Sequence, residues 1–263
     1  MTESVKPTAC HPYPADAPLL ELERFCLVLD GREVLSDISF AVPKGSITAL
    51  IGPSGSGKTA LLRSFNRMNE WTDSVKISGT LRFEGKEIHS PETDLLAHRS
   101  RIGMVFRTPN AFSMSILDNV AYALRVQGKR HPEEGAEKIL RRVGLWNAVK
   151  DRLGERGDRL PSGLQQRLCV ARALAASPSL LLLDEPCSVL DPVGTAELED
   201  LLLSLAGDPT VVVVTHNPQQ AARISQYTAF LAQGRLIEVG PTEKVFQRPL
   251  CRETDDYISG RFG

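Results

Sequence analysis

Gly52-Pro-Ser-Gly-Ser-Gly-Lys-Thr59 is the stretch that decides the fold. It fits the pattern G-x-x-x-x-G-K-[ST] at every fixed position, the pattern of a loop that wraps a phosphate chain. Gly52, Gly55 and Gly57 let the backbone curl until successive N–H groups point at one phosphate chain, and the following helix adds its positive N-terminal end. Pro53, Ser54 and Ser56 lie in the same loop and are expected at the same cradle. Lys58 is placed to reach the β- and γ-phosphates, and the Thr59 hydroxyl to take a position on Mg²⁺. The flanks agree with this reading. Ser46-Ile-Thr-Ala-Leu-Ile51 reads as a buried strand and Ala60-Leu-Leu-Arg-Ser-Phe65 as a helix start. The stretch predicts binding of a nucleoside triphosphate.

Further along, Leu180-Leu-Leu-Leu-Asp184-Glu185-Pro186 supplies what a phosphate loop lacks. An apolar strand ending in Asp184 offers a carboxylate for Mg²⁺, and Glu185 beside it is a candidate general base for water. A second apolar strand, Val211–Val214, ends in Thr215-His216-Asn217. Ligands gather at such carboxyl ends in open α/β sheets, so His216 is a candidate partner of the γ-phosphate and the water.

The remaining pattern places these motifs in an α/β fold. Leu20–Leu29, a turn at Asp30-Gly31 and Ile38–Val42 read as strands, and a further strand pair is expected around Gly79–Phe83 and Ile102–Phe106. From Ser113 to Val143 the period becomes helical, with a break at Gly128–Pro132. Continuous apolar runs at Leu180–Leu183 and Val211–Val214 suit a parallel sheet covered on both faces. Ala196–Leu205 reads as a helical crossover, and Ala229–Val239 as a final hairpin. The expected fold class is an α/β P-loop domain with a mostly parallel core sheet, an N-terminal antiparallel β-subdomain and an inserted helical subdomain. The domain is expected to span 19–263, with the insert over roughly 108–172 and a loose Pro-rich tail over 1–18.

Composition narrows the function classes. The 263-residue chain carries 31 basic and 32 acidic residues, which leaves no broad basic field for nucleic acid. Five scattered cysteines suit a reducing compartment better than a disulfide framework. No apolar run approaches membrane-span length. Cys187, beside the Asp-Glu pair, reads as a small buried thiol. His11, His89, His98 and His131 lie in polar stretches and are expected to be solvated, as are Lys129-Arg130 and Glu133-Glu134 at a helix start.

Taken together, the order of motifs resembles the ATP-binding subunits of ABC transporters over about residues 20–240. The order is phosphate loop, helical insert, signature segment, Asp184-Glu185, Ser188-Val-Leu-Asp191-Pro192 and His216. Within that family the chain resembles the phosphate-import branch (PstB). The residues that carry this are Ser64–Met68, Ile102–Phe106, Met114–Tyr122, Gln165–Cys169, Asp184–Ser188, Thr215–Asn217, Gln219–Arg223 and the ending Asp256–Gly263. The resemblance implies an ATPase that uses ATP and Mg²⁺ and energises a membrane importer, with inorganic phosphate as cargo. It implies transmembrane permease subunits as partners, a solute-binding protein indirectly, and no nucleic acid. It also implies a head-to-tail ATPase dimer, with itself or with a second ABC ATPase, at the cytoplasmic face of the inner membrane. Ser162 and Gly163 of the signature segment would then face the partner's ATP. The alternatives are an ABC ATPase for another solute, or a weakly hydrolysing regulatory nucleotide-binding subunit.

Three positions depart from the family pattern. Asp30 stands where an aromatic ring would stack on adenine, so Phe25 or another ring would have to substitute. Arg107 stands in place of the usual Gln metal ligand, and a guanidinium, which has only donors, would instead pair with the γ-phosphate. Leu160-Pro161-Ser162-Gly163-Leu164 aligns with the signature Leu-Ser-Gly-Gly-Gln, and Pro161 supplies neither a hydroxyl nor an N–H. Either Ser162 takes over one residue further on, or the loop has degenerated. Low intrinsic ATPase activity, or dependence on a partner ATPase, is the expected consequence.

Overall fold

Residues 18–43 build a long antiparallel hairpin whose buried positions, Leu20, Leu22, Leu27, Leu35, Ile38 and Val42 among them, are apolar. The computed structural model describes residues 9–10 (backbone only), 18–72 and 74–261. The loose tail expected over 1–18 therefore lies mostly outside the described residues, as do Phe262 and Gly263 of the chain ending.

Residues 1–93 and 214–263 form one unit and residues 94–213 a second. In chain order the first unit begins with β1 (Ala9–Cys10), β2 (Pro18–Leu29), β3 (Arg32–Pro43), β4 (Ile47–Ile51), α1 (Lys58–Ser64), β5 (Val75–Phe83) and β6 (Lys86–Glu87). The second unit holds α2 (Leu95–Ser100), β7 (Ile102–Val105), α3 (Ile116–Val126), α4 (Pro132–Arg142), α5 (Trp146–Val149), α6 (Ser162–Ala175), β8 (Leu180–Asp184), α7 (Pro192–Ser204) and β9 (Thr210–Val214). The chain then returns to the first unit with α8 (Pro218–Ile224), β10 (Tyr227–Ala232), β11 (Arg235–Pro241), α9 (Thr242–Gln247) and α10 (Arg252–Ile258).

In the first unit, β3-β2-β5-β6 form an antiparallel sheet, with Leu20 opposite Val42, Leu22 opposite Phe40 and Leu27 opposite Leu35. Its tight turns place consecutive residues at positive φ, Asp30-Gly31 at 49° and 76° and Glu84-Gly85 at 50° and 75°. That geometry matches the right-handed twist of the flanking strands. The other sheet portion runs β1-β11-β10-β4, with β10 parallel to β4 and antiparallel to β11. All five residues of β4 are buried, and β4 runs directly toward Gly52.

In the second unit β9, β8 and β7 are neighbours in that order, and β7 pairs in parallel with β8 from Ile102↔Leu180 to Val105↔Leu183. The apolar runs of β8 and β9 are buried along their whole length, as strands covered on both faces must be. The strands read around Gly79–Phe83 and Ile102–Phe106 do not pair with each other. The former belongs to β5, hydrogen-bonded to β2, and the latter to β7. The helical stretch resolves into α3 and α4, which break over 127–131. Pro132 sits at the first turn of α4, where its missing N–H costs nothing.

Candidate functional site

The phosphate loop lies between β4 and α1 in the first unit, and its glycines are required for different reasons. Gly52 has φ 142°, and a Cβ there would lie 2.0 Å from the Leu231 carbonyl oxygen, so close approach of β10 excludes any side chain. Gly57 has φ 96°, and a Cβ would lie 2.7 Å from Leu35 Cδ2. Gly55, at φ 78°, faces open space and is needed for its conformation alone. Pro53 accepts from Ser56 N at 3.3 Å, which closes the curl, while Ser54 and Gly55 form its exposed crest. Lys58 is buried with its ammonium folded onto the loop, donating to Gly52 O at 2.8 Å, Pro53 O at 2.7 Å and Ser56 Oγ at 3.3 Å. Thr59, half-buried, follows it in the first turn of α1.

His216 belongs to the same unit. Thr215 N donates to Leu50 O at 3.2 Å, which fixes the chain beside β4 as it leaves β9. Asn217 caps α8 by accepting from Gln219 N at 3.0 Å and Gln220 N at 3.3 Å. Thr215 Oγ1 donates to Gln220 Oε1 at 2.7 Å. His216 is thus an exposed side chain on a short segment held at both ends. From the C-terminal helix, Tyr257 Oη donates to its backbone carbonyl at 3.4 Å.

The second unit carries the acids. Asp184 ends β8 and is 6 % exposed. Glu185 begins the following turn at φ 45°, and Ser188 N donates to its carbonyl at 3.1 Å. A non-glycine residue held at positive φ is characteristic of functional turns. Arg107, just beyond β7, extends its guanidinium to Glu185, with Nη1 3.4 Å from Oε2. Pro161 is the N-cap of α6, so Ser162 and Gly163 occupy its first two helical positions, and no side chain caps the helix. Pro161, Ser162 and Gly163 line a hollow of about 400 Å³ together with Val189, Asp191 and Val193. Asp191 caps α7 by accepting from Gly194 N at 2.7 Å.

A glycine loop around a buried lysine in one unit, and an apolar strand ending in two acids in the other, are features found in nucleotide-hydrolysing proteins. Residues 35–188 match the ABC transporter family. The chain belongs to the ABC transporter family. The phosphate import ATP-binding protein PstB 1 of Yersinia pestis is 52 % identical to it over 247 residues, covering 93 % of this chain and 92 % of its own length. PstB 2 of Aliivibrio fischeri is 48 % identical over the same share of this chain and 91 % of its own. Among solved structures, cbiO1 of Clostridium perfringens, part of the ABC transporter complex cbiONQ, superposes with a TM-score of 0.77 at 26 % identity. The match covers 91 % of this chain and 95 % of that one. The fold is therefore the P-loop fold of ABC ATPases, as the sequence implied.

In this ABC ATPase some expectations need correction. Phe25 is fully buried, with its ring stacked 6.1 Å from that of His89, so it has no face to offer adenine. His98 is buried, and His89 lies half-buried against Glu70 and Phe25, so neither is solvated; His131 is exposed. His11 lies outside the described residues. Glu133 and Glu134 are exposed as expected, and Glu133 pairs with Arg125 at 2.8 Å. Cys187 is half-buried.

Some residues that shape this ABC site carry no motif. Gln166, fully buried on α6, donates to the Phe106 carbonyl at 3.0 Å. Asn110 exchanges hydrogen bonds with Cys169 and accepts from Arg172, whose guanidinium lies 4.0 Å over the Phe112 ring. Burial raises the Cys169 thiol above its ordinary pKa, which keeps it protonated and inert. Gln166, Cys169 and Arg172, spaced three apart on one helix, were the available signal that α6 grips a neighbouring loop.

Proposed function

We propose that the chain is the ATP-hydrolysing subunit of a membrane importer whose cargo is inorganic phosphate. The observation that carries this reading is the near-full-length identity to phosphate import ATP-binding proteins. Lys58 and the loop glycines support the ATP half of it, and the cargo rests on the relatives alone.

In this reading the β- and γ-phosphates lie in the Gly52–Thr59 loop, and Lys58 exchanges its loop carbonyls for phosphate oxygens. Pro53, Ser54 and Ser56 complete the loop's contribution. Thr59 and Asp184 would hold Mg²⁺, which neutralises triphosphate charge when bound. The donor set fits that ion, since Mg²⁺ takes one or two protein oxygens alongside phosphates and waters. Among the described residues there is no cluster of three or more acidic, His or Cys ligands that would form an all-protein cage. Glu185 accepts a proton as the water oxygen bonds to the γ-phosphorus, and the bond to the β–γ bridging oxygen breaks, leaving ADP. His216 would hold the γ-phosphate and the water in line.

Ser162 and Gly163 would complete the site of a second ATPase protomer, which is either a copy of this chain or a different ABC ATPase. Permease subunits would anchor the pair at the cytoplasmic face of the inner membrane, with a solute-binding protein delivering cargo on the far side. No helix among the described residues is long and apolar enough to cross a membrane.

The test pairs hydrolysis with transport. Purified chain is assayed for Mg-ATP hydrolysis beside its Glu185→Gln variant, with loss of turnover expected in the variant. Cells lacking their own phosphate-import ATPase then receive this chain, and uptake of radiolabelled phosphate is followed. Restored uptake that disappears with Lys58→Ala supports the reading. Restored uptake of a different solute, with none of phosphate, would remove the cargo assignment.

A further inference from the structure

Glu185 is held by a neighbouring cation. The Arg107 guanidinium lies 3.4 Å from Oε2, and the two side chains are 63 % and 16 % exposed. The acid is nearly enclosed and the cation is largely exposed. Glu185 also sits at φ 45°, a conformation that the surrounding turn must enforce.

The backbone that delivers Arg107 is anchored on two sides. Gln166 Nε2 donates to the Phe106 carbonyl at 3.0 Å, and Ser188 Oγ donates to the Arg107 carbonyl at 3.5 Å. Gln166 is fully buried, in the turn of α6 that follows Pro161-Ser162. The main chain at 106–107 is therefore tied to α6 on one side and to the turn after Glu185 on the other. The Arg107 side chain closes the triangle. A guanidinium keeps its charge at any working pH and carries only donors, so it stays matched to an ionised carboxylate.

A general base must present a free oxygen to the water it deprotonates. We propose that Arg107 is a positioning residue that holds Glu185 in an ion pair and so limits turnover of the isolated chain. This rests on the reading of Glu185 as the base. The proton and phosphoryl transfers are those already described, and Arg107 changes only when the carboxylate is available for them.

The experiment uses the full-length chain as wild type, Arg107→Ala, Arg107→Lys, Glu185→Gln and the Arg107→Ala/Glu185→Gln double variant. Steady-state Mg-ATP hydrolysis gives kcat and KM, and titration with a fluorescent ATP analogue reports folding and binding. Releasing a partly exposed ion pair predicts about a three- to tenfold rise in kcat for Arg107→Ala with KM unchanged. Arg107→Lys keeps the charge and the low rate. The double variant falls to the level of Glu185→Gln, because the gain passes through that carboxylate. An unchanged or lowered kcat in Arg107→Ala overturns the proposal. A lowered kcat with raised KM assigns Arg107 to the triphosphate instead. Failure of the base reading looks different, since Glu185→Gln would then hydrolyse like wild type whatever Arg107 does.

Discussion

Tyr257 Oη donates to the backbone carbonyl of His216 at 3.4 Å, while its ring stacks 4.9 Å from that of Phe230. Phe230 is a core residue of β10 paired with Ile51, the last residue before the phosphate loop. The C-terminal helix α10 thus touches both the loop's supporting strand and the His216 segment. Tyr257→Phe removes only the hydroxyl, so its stability cost is expected at about 1 kcal/mol or less. A several-fold fall in kcat is expected, with ATP affinity unchanged. Tyr257→Ala also loses the stack and should cost about 2 kcal/mol. Thermal melting and steady-state hydrolysis separate the two effects. Wild-type kcat in Tyr257→Phe would show that the hydroxyl has no share in placing His216.

Two loop glycines make a contrasting pair. Ala at position 55 meets nothing within 4 Å and suffers only φ 78°, a cost of about 1–2 kcal/mol for an L-residue. Ala at position 52 would put Cβ 2.0 Å from the Leu231 carbonyl oxygen, a backbone atom fixed in β10. Gly52→Ala should therefore destabilise by about 3 kcal/mol or more, twice the effect of Gly55→Ala. For a chain of this size that is a gap of several degrees in melting temperature. Equal melting temperatures for the two variants would contradict the packing argument.

Acid sensitivity is built into a half-buried triad beside β2. Arg67 donates to both Glu70 oxygens, at 2.7 and 2.8 Å, and His89 Nδ1 lies 3.1 Å from Oε1. Burial opposes the Glu70 charge, yet Arg67, with help from His89, holds the carboxyl below its ordinary range. For His89, burial pushes the pKa down more than the Glu70 and Glu87 carboxylates raise it, and the Arg67 charge adds to the lowering. Protonation would also place a second N–H at Nε2, which is buried without a hydrogen-bond partner. Both groups bind fewer protons folded than unfolded, so both contribute stability above their unfolded values and lose it as pH falls through the folded ones. Stability should decline first below about 6.5, from His89, and again below about 4.5, from Glu70. The measurement is urea unfolding between pH 7.5 and 4 for wild type and His89→Gln. An identical slope between pH 6.5 and 5 in both proteins would clear His89 of the effect.

The parts of this fold that the sequence made legible are those governed by backbone needs or unbroken periods. The Gly52–Thr59 loop is readable because each fixed residue answers a local requirement, and β8 and β9 because every residue is apolar. Phe25 illustrates what was not readable. Strict alternation from Leu20 and Leu22 would turn residue 25 outward, but β2 bulges at Arg24, φ 48°, and both Glu23 and Arg24 face solvent. The phase shifts, and Phe25 enters the core. Nothing in the composition of Glu23-Arg24 marks a bulge. The ion pair between Arg107 and Glu185 and the bond from Tyr257 to His216 were hidden for another reason. Each joins residues distant in the chain through tertiary packing, where no local period carries information.

Pro161 offers the sharpest test of how far the altered signature limits turnover. As N-cap of α6 it presents no acceptor to the first amides of the helix. Pro161→Ser supplies a hydroxyl that reaches the N–H of Gly163 or Leu164, a gain of about 1 kcal/mol. The same change returns the flexibility that proline removes from the unfolded chain, a loss of about 0.4–1 kcal/mol. These nearly cancel, so the melting temperature should move by no more than about two degrees. Hydrolysis need not follow stability. If the missing hydroxyl limits the site completed by a partner's signature, Pro161→Ser should raise ATPase activity at least severalfold, and more steeply at protein concentrations that favour pairing. Ser162→Ala separates the two readings of the signature. Loss of the residual rate would show that Ser162 has taken over the contact, whereas an unchanged rate places the limitation in a degenerated loop. A Pro161→Ser variant with wild-type activity at every protein concentration would contradict a limit on turnover set by Pro161.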